Sequence, residues 1–268
     1  MDRAIVVENV GKRFRRYHAD RPSTIHELLM RGFGKLAPSE CFWGLREVSF
    51  SVDPGRMVAI LGRNGAGKST LLRLIGGVGR VDEGSVRVRG RIRALLTLGA
   101  GFHPELTGHE NLYVNAIIGG LTRREVDQRV NDIIAFAELE EYMGSPLRAY
   151  STGMQMRLAF SIAIHAEPDV LLIDEVLAVG DMAFQQKCFD RIMRLKAAGC
   201  TIIVVSHDTG MAQSVCDEAL YLRAGRLEAH GDPRSVVAKY QADAEGVGSG
   251  HLPVANFSPA GNAVASVT

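Results

Sequence analysis

The chain has 268 residues, of which 46% are hydrophobic and 23% charged, and its formal net charge at pH 7 is +1. This length and composition are typical of a globular protein with one large domain and a packed core. The near-neutral charge argues against a nucleic-acid partner, because such binding usually shows as a strong basic excess.

Cysteine usage and hydropathy exclude further classes. The four cysteines are scattered without CxxC or metal-ligand spacing, which favours reduced thiols. The first residues, MDRAIVVENV, do not form a secretory signal, since no charged lead precedes a long apolar run. No segment reaches the roughly 18 uninterrupted apolar residues of a membrane span. We therefore expect a cytosolic chain that meets a membrane only through a partner.

The N-terminal part predicts two strands joined by a basic stretch. AIVVENV (4–10) and REVSFSV (46–52) alternate β-branched and polar residues, as strands do. Residues 12–35 between them are rich in arginine. Within this stretch, STIHELLMRGFG predicts a short helix, because Thr24 and Glu27 have capping-box spacing. The basic stretch is either a solvated loop or a partner-binding surface.

The middle of the chain predicts a buried strand, a hairpin and a helical region. MVAIL (57–61) is a short apolar run before a Gly-rich turn, typical of a buried parallel strand. SVRVRGRIRALL (85–96) alternates strictly and predicts a hairpin. Residues 109–141 predict helix with one apolar face. That face comprises Val126, Val130, Ile133, Ile134 and Ala137.

The C-terminal part alternates strands and helices. DVLLIDE (169–175) and TIIVVSH (201–207) predict short apolar strands, and the segment 182–199 between them predicts a helix. This alternation predicts an α/β fold with a mainly parallel sheet. A closing hairpin at 218–231 and a last helix at 233–242 follow, and from about Glu245 the composition predicts a mobile tail.

GRNGAGKS (62–69) matches the phosphate-loop pattern GxxxxGK[ST] between a predicted strand and a predicted helix, which is the context the pattern requires. Its glycines let backbone N–H groups face phosphates. Lys68 is expected to reach the β- and γ-phosphates, and the Ser69 hydroxyl to coordinate Mg²⁺. The predicted nucleotide-binding residues are Gly62, Arg63, Asn64, Gly65, Ala66, Gly67, Lys68, Ser69 and Thr70.

Two strand ends are expected to supply the remaining catalytic groups. VLLIDE (170–175) brings Asp174 to the sheet edge where Mg²⁺ would sit. The adjacent Glu175 can reach the attacking water and is the candidate general base. VVSH (204–207) places His207 near the γ-phosphate. A histidine after a strand is usually structural, but the neighbouring motifs favour catalysis here. We expect Glu175, His207 and Lys68 to act in catalysis, and Ser69 and Asp174 to hold the metal.

The phosphate loop, YSTGM (150–154), LLIDE (171–175), AVGD (178–181) and SH (206–207), in this order and spacing, resemble the nucleotide-binding subunit of an ABC transporter over about residues 4–240. The resemblance implies a RecA-like P-loop NTPase core with an antiparallel β subdomain and a helical subdomain at about 103–153. The ATPase domain would span 1–241, and 242–268 would form a flexible tail.

In that family two subunits enclose two ATP molecules, and the signature loop of one completes the site of the other. The resemblance implies that this loop, Ser151, Thr152, Gly153 and Met154, faces the partner's ATP. Ser151 can also cap the helix that follows, whose positive end would face an anion. Asp181 matches the loop that communicates between the sites. Phe14 matches the aromatic that stacks on adenine, with Tyr17 as the alternative.

One departure and one further resemblance concern the region after the phosphate loop. Thr97 or Leu98 stands where many family members have a glutamine that couples the site to the membrane partner, and neither offers an amide. LGAGFHPELTGHEN (98–111), YSTGM and the insertion at 18–40 resemble the subunits that export capsule, O-antigen or teichoic-acid polysaccharides. Some of those carry an extra carbohydrate-binding domain, for which the residues after Gln241 are too few.

The resemblance implies an ATPase at the cytoplasmic face of the bacterial inner membrane. It would dimerise on two ATP molecules and energise export of a lipid-linked polysaccharide, contacting the glycolipid mainly through integral membrane permease subunits. Transport of another cargo is the alternative. An ABC ATPase acting on DNA or ribosomes would need two cassettes or a coiled-coil insertion, and a small-molecule kinase would not need YSTGM. Gly99–Gly101 either transmits motion to the permease or makes only a tight turn.

Overall fold

The computed structural model describes residues 3–16, 40–95, 99–174 and 180–248. Several predictions fall outside these ranges: the helix at Thr24 and Glu27, Tyr17, Thr97, Leu98, Glu175 and the tail beyond Gly248.

A three-stranded antiparallel sheet contains both predicted N-terminal strands. Its strands are β1 (Ile5–Arg16), β2 (Glu40–Val52) and β4 (Glu83–Val88), in the order β2-β1-β4. Both β1 and β2 are longer than the predicted segments, and β1 extends into the start of the basic stretch, to Arg16. In the register between them, Phe14 lies opposite Phe42.

A six-stranded sheet forms the centre of the molecule. Its strands are β3 (Met57–Leu61), β5 (Ile92–Leu95), β6 (Val170–Asp174), β7 (Thr201–Val205), β8 (Glu218–Arg223) and β9 (Arg226–Gly231), in the order β5-β6-β7-β3-β8-β9. The first five strands of this order are parallel, and β9 runs antiparallel to β8. The predicted parallel sheet and the closing hairpin are confirmed.

Seven α-helices lie in the described ranges. They are α1 (Lys68–Ile75), α2 (Gly108–Ile118), α3 (Arg123–Ala137), α4 (Thr152–Ile164), α5 (Met182–Ala197), α6 (Thr209–Val215) and α7 (Pro233–Gly248). The last helix continues beyond Gln241, where the predicted domain ends, and the division into domain and tail stays a prediction. In the part of the chain described, no helix has both the length and the apolarity that crossing a bilayer requires.

The predicted hairpin at 85–96 is wrong. Strand β4 pairs with β1 in the antiparallel sheet, whereas β5 pairs in parallel with β6. The chain changes sheets at Gly90, which has a φ of +92°. On either side of it, the Arg89 N–H donates to the Ala4 carbonyl (2.9 Å) and the Arg91 N–H donates to Asp169 Oδ2 (2.7 Å).

The predicted helical region 109–141 contains two α-helices. Helix α2 ends at Ile118 with Gly119 as its C-cap, and Gly120 follows with a φ of +87°. Helix α3 then starts with a capping box in which Thr122 and Glu125 each accept a hydrogen bond from the other's N–H. The predicted apolar face of α3 is confirmed, with Val126 and Ile133 fully buried.

Both faces of the central sheet are covered, so its strands read as continuous apolar runs. Val58 and Ile60 of β3 pack with the antiparallel sheet and α1. Ala59 and Leu61 pack on the opposite face, against Phe160, Phe184 and Val236 of the surrounding helices. A separate core joins the helices of the helical subdomain and includes Leu112, Val126, Ile133 and Leu158.

Candidate nucleotide-binding site

The phosphate loop connects β3 to α1 and has glycines where side chains would not fit. Gly62 has a φ of +151°, and a Cβ there would collide with the Leu222 carbonyl oxygen. Gly67 has a φ of +104°, and its Cβ would lie 2.7 Å from the Gly44 carbonyl oxygen. Gly65 has a φ of +79°, but its Cβ would meet nothing within 4 Å. At Gly62 and Gly67, lack of space as well as backbone conformation therefore requires glycine.

Backbone hydrogen bonds connect the phosphate loop to its neighbours. The Ala66 carbonyl accepts from the N–H of Gly225, in the turn between β8 and β9, at 3.0 Å. The Gly225 carbonyl in turn accepts from the N–H of Arg46, in β2, at 2.8 Å. The loop is thus linked to the central sheet directly and to the antiparallel sheet through one residue.

The side chain of Lys68 turns back into the phosphate loop. Its Nζ donates to the carbonyl oxygens of Gly62 (2.7 Å) and Arg63 (3.1 Å), and the residue is 6% exposed. Because the preceding Gly67 has no side chain, the first N–H groups of α1 have no side-chain cap and can receive an anion. The ammonium and the helix N-terminus are together suited to phosphate binding.

A cleft of about 470 Å³ opens beside the loop. Its lining residues are Phe14, Phe42, Gly44, Asn64, Gly65, Gly67, Lys68, Ser69 and Thr70. The structure thus brings the predicted adenine-stacking Phe14 together with most of the predicted phosphate loop. Of the other predicted loop residues, Arg63 is exposed and Ala66 is buried.

Phe42, the second aromatic in this cleft, is not predicted from the sequence. Phe14 and Phe42 have ring centroids 5.8 Å apart and an interplanar angle of 27°. They are 38% and 52% exposed, respectively. A Cβ at Gly44 would collide with the Phe14 ring, so glycine at this position lets the ring lie against β2. The pairing of Phe14 with Phe42 follows from the strand register and cannot be read from their spacing, because residues 17–39 separate the described parts of β1 and β2.

Asp174 and His207 lie at the edge of the sheet from which the phosphate loop emerges. Asp174 at the end of β6 is level with Val205, which is level with Ile60 near the end of β3. Within the described ranges, no group donates a hydrogen bond to the half-buried Asp174 carboxylate. One hydroxyl, from Ser69, and one carboxylate fit Mg²⁺, which usually takes its other ligands from phosphates and water. His207 is exposed just beyond β7.

The signature loop begins helix α4 and is anchored by Tyr150. The Ser151 hydroxyl accepts from the Met154 N–H at 3.2 Å, which confirms the predicted cap. The buried Tyr150 hydroxyl donates to the Tyr142 carbonyl at 2.7 Å, and burial raises the pKa of Tyr150. Residues 151–153 are exposed and lie outside the described lining of the cleft. The loop is therefore separate from the nucleotide cleft of its own subunit.

Asp181 caps α5, and Arg157 connects it to the signature helix. The Asp181 carboxylate accepts from the Phe184 N–H (2.9 Å) and from Arg157 Nη2 (2.6 Å), and these two donors lower the pKa of Asp181. Arg157 also donates to Glu138 Oε2 (3.0 Å), and its guanidinium lies 4.7 Å from the Phe184 ring centroid. Arg157 is not predicted from the sequence, although its place one turn after Met154 puts it on α4, the signature helix.

Comparisons with known proteins agree with this geometry. A sequence model of the family described as "ABC transporter" matches residues 45–178, which include the phosphate loop, the signature loop and Asp174. The chain is also similar to the dimeric ATP-binding cassette MJ0796 bound to ADP and Pi, with a TM-score of 0.66 and 24% identity, over 86% of this chain and 99% of that one. The predicted fold, a P-loop NTPase with antiparallel β and helical subdomains, is confirmed.

Two relatives are more similar in sequence, and both are named "O-antigen export system ATP-binding protein RfbB". The protein from Klebsiella pneumoniae is 43% identical over 244 residues, which cover 90% of this chain and 98% of that protein. The protein from Myxococcus xanthus is 42% identical over 260 residues, which cover 96% of this chain. This chain spans only 59% of the length of the Myxococcus relative.

Proposed function

Because the chain belongs to the ABC transporter family, we propose that it is the ATPase subunit of an exporter of a lipid-linked cell-surface polysaccharide. The observation that carries the proposal is the cleft, whose lining includes both an aromatic pair and most of the phosphate loop. The rings suit a nucleobase and the loop suits a triphosphate. Together they support ATP as the substrate.

Hydrolysis requires a water to attack the γ-phosphate. In the proposed site, Lys68 binds the β- and γ-phosphates, and Ser69 and Asp174 hold Mg²⁺, which neutralises phosphate charge when bound. Glu175, outside the described residues, directly follows Asp174 and acts as general base on the water. His207 contacts the γ-phosphate from the end of the neighbouring strand.

The proposed active form is a homodimer around two ATP molecules. The signature loop, Ser151 to Met154, of which residues 151–153 are exposed, contacts the ATP of the partner subunit, and the N-terminus of α4 directs its positive end to the γ-phosphate. Asp181 at the start of α5 communicates between the two sites. The dimeric form of the MJ0796 cassette supports this arrangement.

The proposed permease contact is the outer face of α2. Val114, Ile117 and Ile118 are 39%, 46% and 73% exposed there, which is unusual for three large apolar residues of one helix. A cleft of about 200 Å³ beside α2 is lined by Arg93 and by the turn at Gly99. Among the described residues, Arg93 has no acidic partner. This surface suits an apolar permease segment carrying a carboxylate, and the turn would transmit the motion of the ATPase.

The cargo rests on the relatives. The Klebsiella protein matches over nearly its full length and is named for O-antigen export. O-antigen is a surface polysaccharide, so the proposed subunit works at the cytoplasmic face of the bacterial inner membrane. It contacts the glycolipid mainly through the permease. Transport of another cargo by the same ATPase is the alternative.

The test is a Lys68→Ala substitution in the source cell, with Arg73→Ala, an exposed residue of the same helix, as the control. We expect the Lys68 variant to accumulate lipid-linked polysaccharide inside the cell and to lose it from the surface, and the control to export normally. Extraction and sizing of surface and internal glycans measure this. Unchanged glycans in the Lys68 variant would contradict polysaccharide export and favour another cargo.

A further inference from the structure

We propose that Phe42 is a second base-stacking residue of the nucleotide site and contacts the base directly beside Phe14. The inference rests on the proposed binding of ATP. It adds a residue from β2 to a base site that the sequence assigned to β1 alone.

The arrangement of the two rings is the first observation. Phe14 and Phe42 are paired across β1 and β2, so both side chains leave the sheet on the same face. Their centroids are 5.8 Å apart and their planes differ by 27°, which makes a nearly continuous apolar surface. Gly44, two residues after Phe42 on that face, leaves room for the Phe14 ring. The rings thus lie side by side in the lining of the cleft.

The exposure of the rings is the second observation. Phe42 is 52% exposed and Phe14 is 38% exposed, yet both line the same cleft as the phosphate loop. A large aromatic ring left open to a cleft is available for a flat ligand. A purine has two fused rings and is wider than one phenyl ring, so two adjacent phenyl rings cover more of its face. Base stacking on aromatic rings is favourable for every base.

Phe42 could instead only support Phe14, and a double-mutant cycle separates the two roles. If Phe42 acts through Phe14, its removal has no further effect once Phe14 is alanine. If Phe42 contacts the base itself, its removal weakens binding in both backgrounds. The variants are Phe42→Ala, Phe14→Ala, the double substitution, and Phe42→Tyr, which keeps the ring.

The experiment measures displacement of a fluorescent ATP analogue from the full-length chain by ATP and by inorganic tripolyphosphate, which has no base. We expect Phe42→Ala to weaken ATP binding by about tenfold, within the range for loss of one stacking contact. Tripolyphosphate affinity should stay unchanged, because the phosphate loop is intact. Phe42→Tyr should bind ATP as the wild type does, and the double variant should bind ATP more weakly than Phe14→Ala.

Three results would overturn the inference: unchanged ATP affinity in Phe42→Ala, an equal loss for ATP and tripolyphosphate, or no further loss in the double variant. Each of these leaves the proposed ATPase intact, since wild-type binding of ATP is measured in the same assay. A wild-type chain that binds tripolyphosphate but gains nothing from the base would instead overturn the proposed function together with this inference.

Discussion

Single residues in the phosphate loop have different reasons for being glycine. Gly65 and Gly67 both have positive φ values, +79° and +104°. A Cβ at Gly65 would meet open space, whereas a Cβ at Gly67 would lie 2.7 Å from both the Gly44 carbonyl oxygen and Leu45 Cδ2. At Gly65, only the positive φ therefore favours glycine. Gly67 also keeps the loop close to β2.

This difference predicts unequal effects of alanine at the two positions. Gly65→Ala should lower the free energy of unfolding by about 1 kcal/mol, the cost of a left-handed conformation. Gly67→Ala should cost about 2–4 kcal/mol and weaken ATP binding, because the Gly44 backbone must move. Urea denaturation and nucleotide titration of the two variants measure this. Equal losses would mean that the contact with β2 is not what restricts Gly67.

At the scale of elements, Arg157 connects three helices. It lies on α4 and binds Glu138, which follows α3, and Asp181, which begins α5. Lys187 of α5 also binds Glu138, at 2.9 Å. The Arg157 side chain is 20% exposed and Asp181 is 62% exposed, so the ion pair itself adds little stability. Its value is geometric, because it holds the signature helix and Asp181 in one relative position.

Arg157→Met should therefore affect turnover more than folding. Methionine keeps an apolar chain over Phe184 but releases Asp181. We expect kcat to fall about tenfold, a loss typical of misplacing a catalytic element, with monomeric ATP affinity unchanged. Steady-state ATPase assays and titrations measure both. Lys187→Met, which removes a cation from Glu138 but not from Asp181, is the control and should retain its kcat. A matching loss in the control would assign the effect to Glu138 instead.

Comparison of the predicted and observed elements shows how far sequence periodicity predicts the fold. It identified most strands and helices, because the central strands are buried on both faces and α3 is buried on one. It failed at 85–96, since alternation indicates a strand but not the sheet to which the strand belongs. Periodicity alone does not locate the boundary between α2 and α3, which the glycine pair at 119–120 and the Thr122 capping box set. For the site, motif spacing predicted the phosphate loop, whereas Phe42 and Arg157 depend on tertiary register.

At the scale of the whole molecule, the separation of the signature loop from its own nucleotide cleft predicts that the subunit is incomplete alone. Ser151→Asp keeps a helix cap but adds a negative charge that, in the proposed dimer, would face the partner's phosphates. Asparagine is nearly the same size as aspartate and can also cap the helix, but Ser151→Asn adds no charge. We expect the aspartate variant to lose at least tenfold in turnover with normal monomeric ATP binding, and the asparagine variant to stay active.

Light scattering in a Glu175→Gln background provides the second measurement. With ATP and Mg²⁺, we expect the parent and the Ser151→Asn chain to dimerise and the Ser151→Asp chain to stay monomeric. Dimers in all three would argue that Ser151 does not face an anion. If aspartate weakened ATP binding to the monomer, the signature loop would belong to its own subunit's site.

The hydrogen bonds through Gly225 have a consequence for which nucleotides fit. They connect the phosphate loop to β2, the strand that also carries Phe42. In the proposed site, the surface for the base and the loop for the phosphates are therefore parts of one hydrogen-bonded framework. We therefore expect the number of phosphates, which sets the length of a nucleotide, to influence binding as well as the identity of the base.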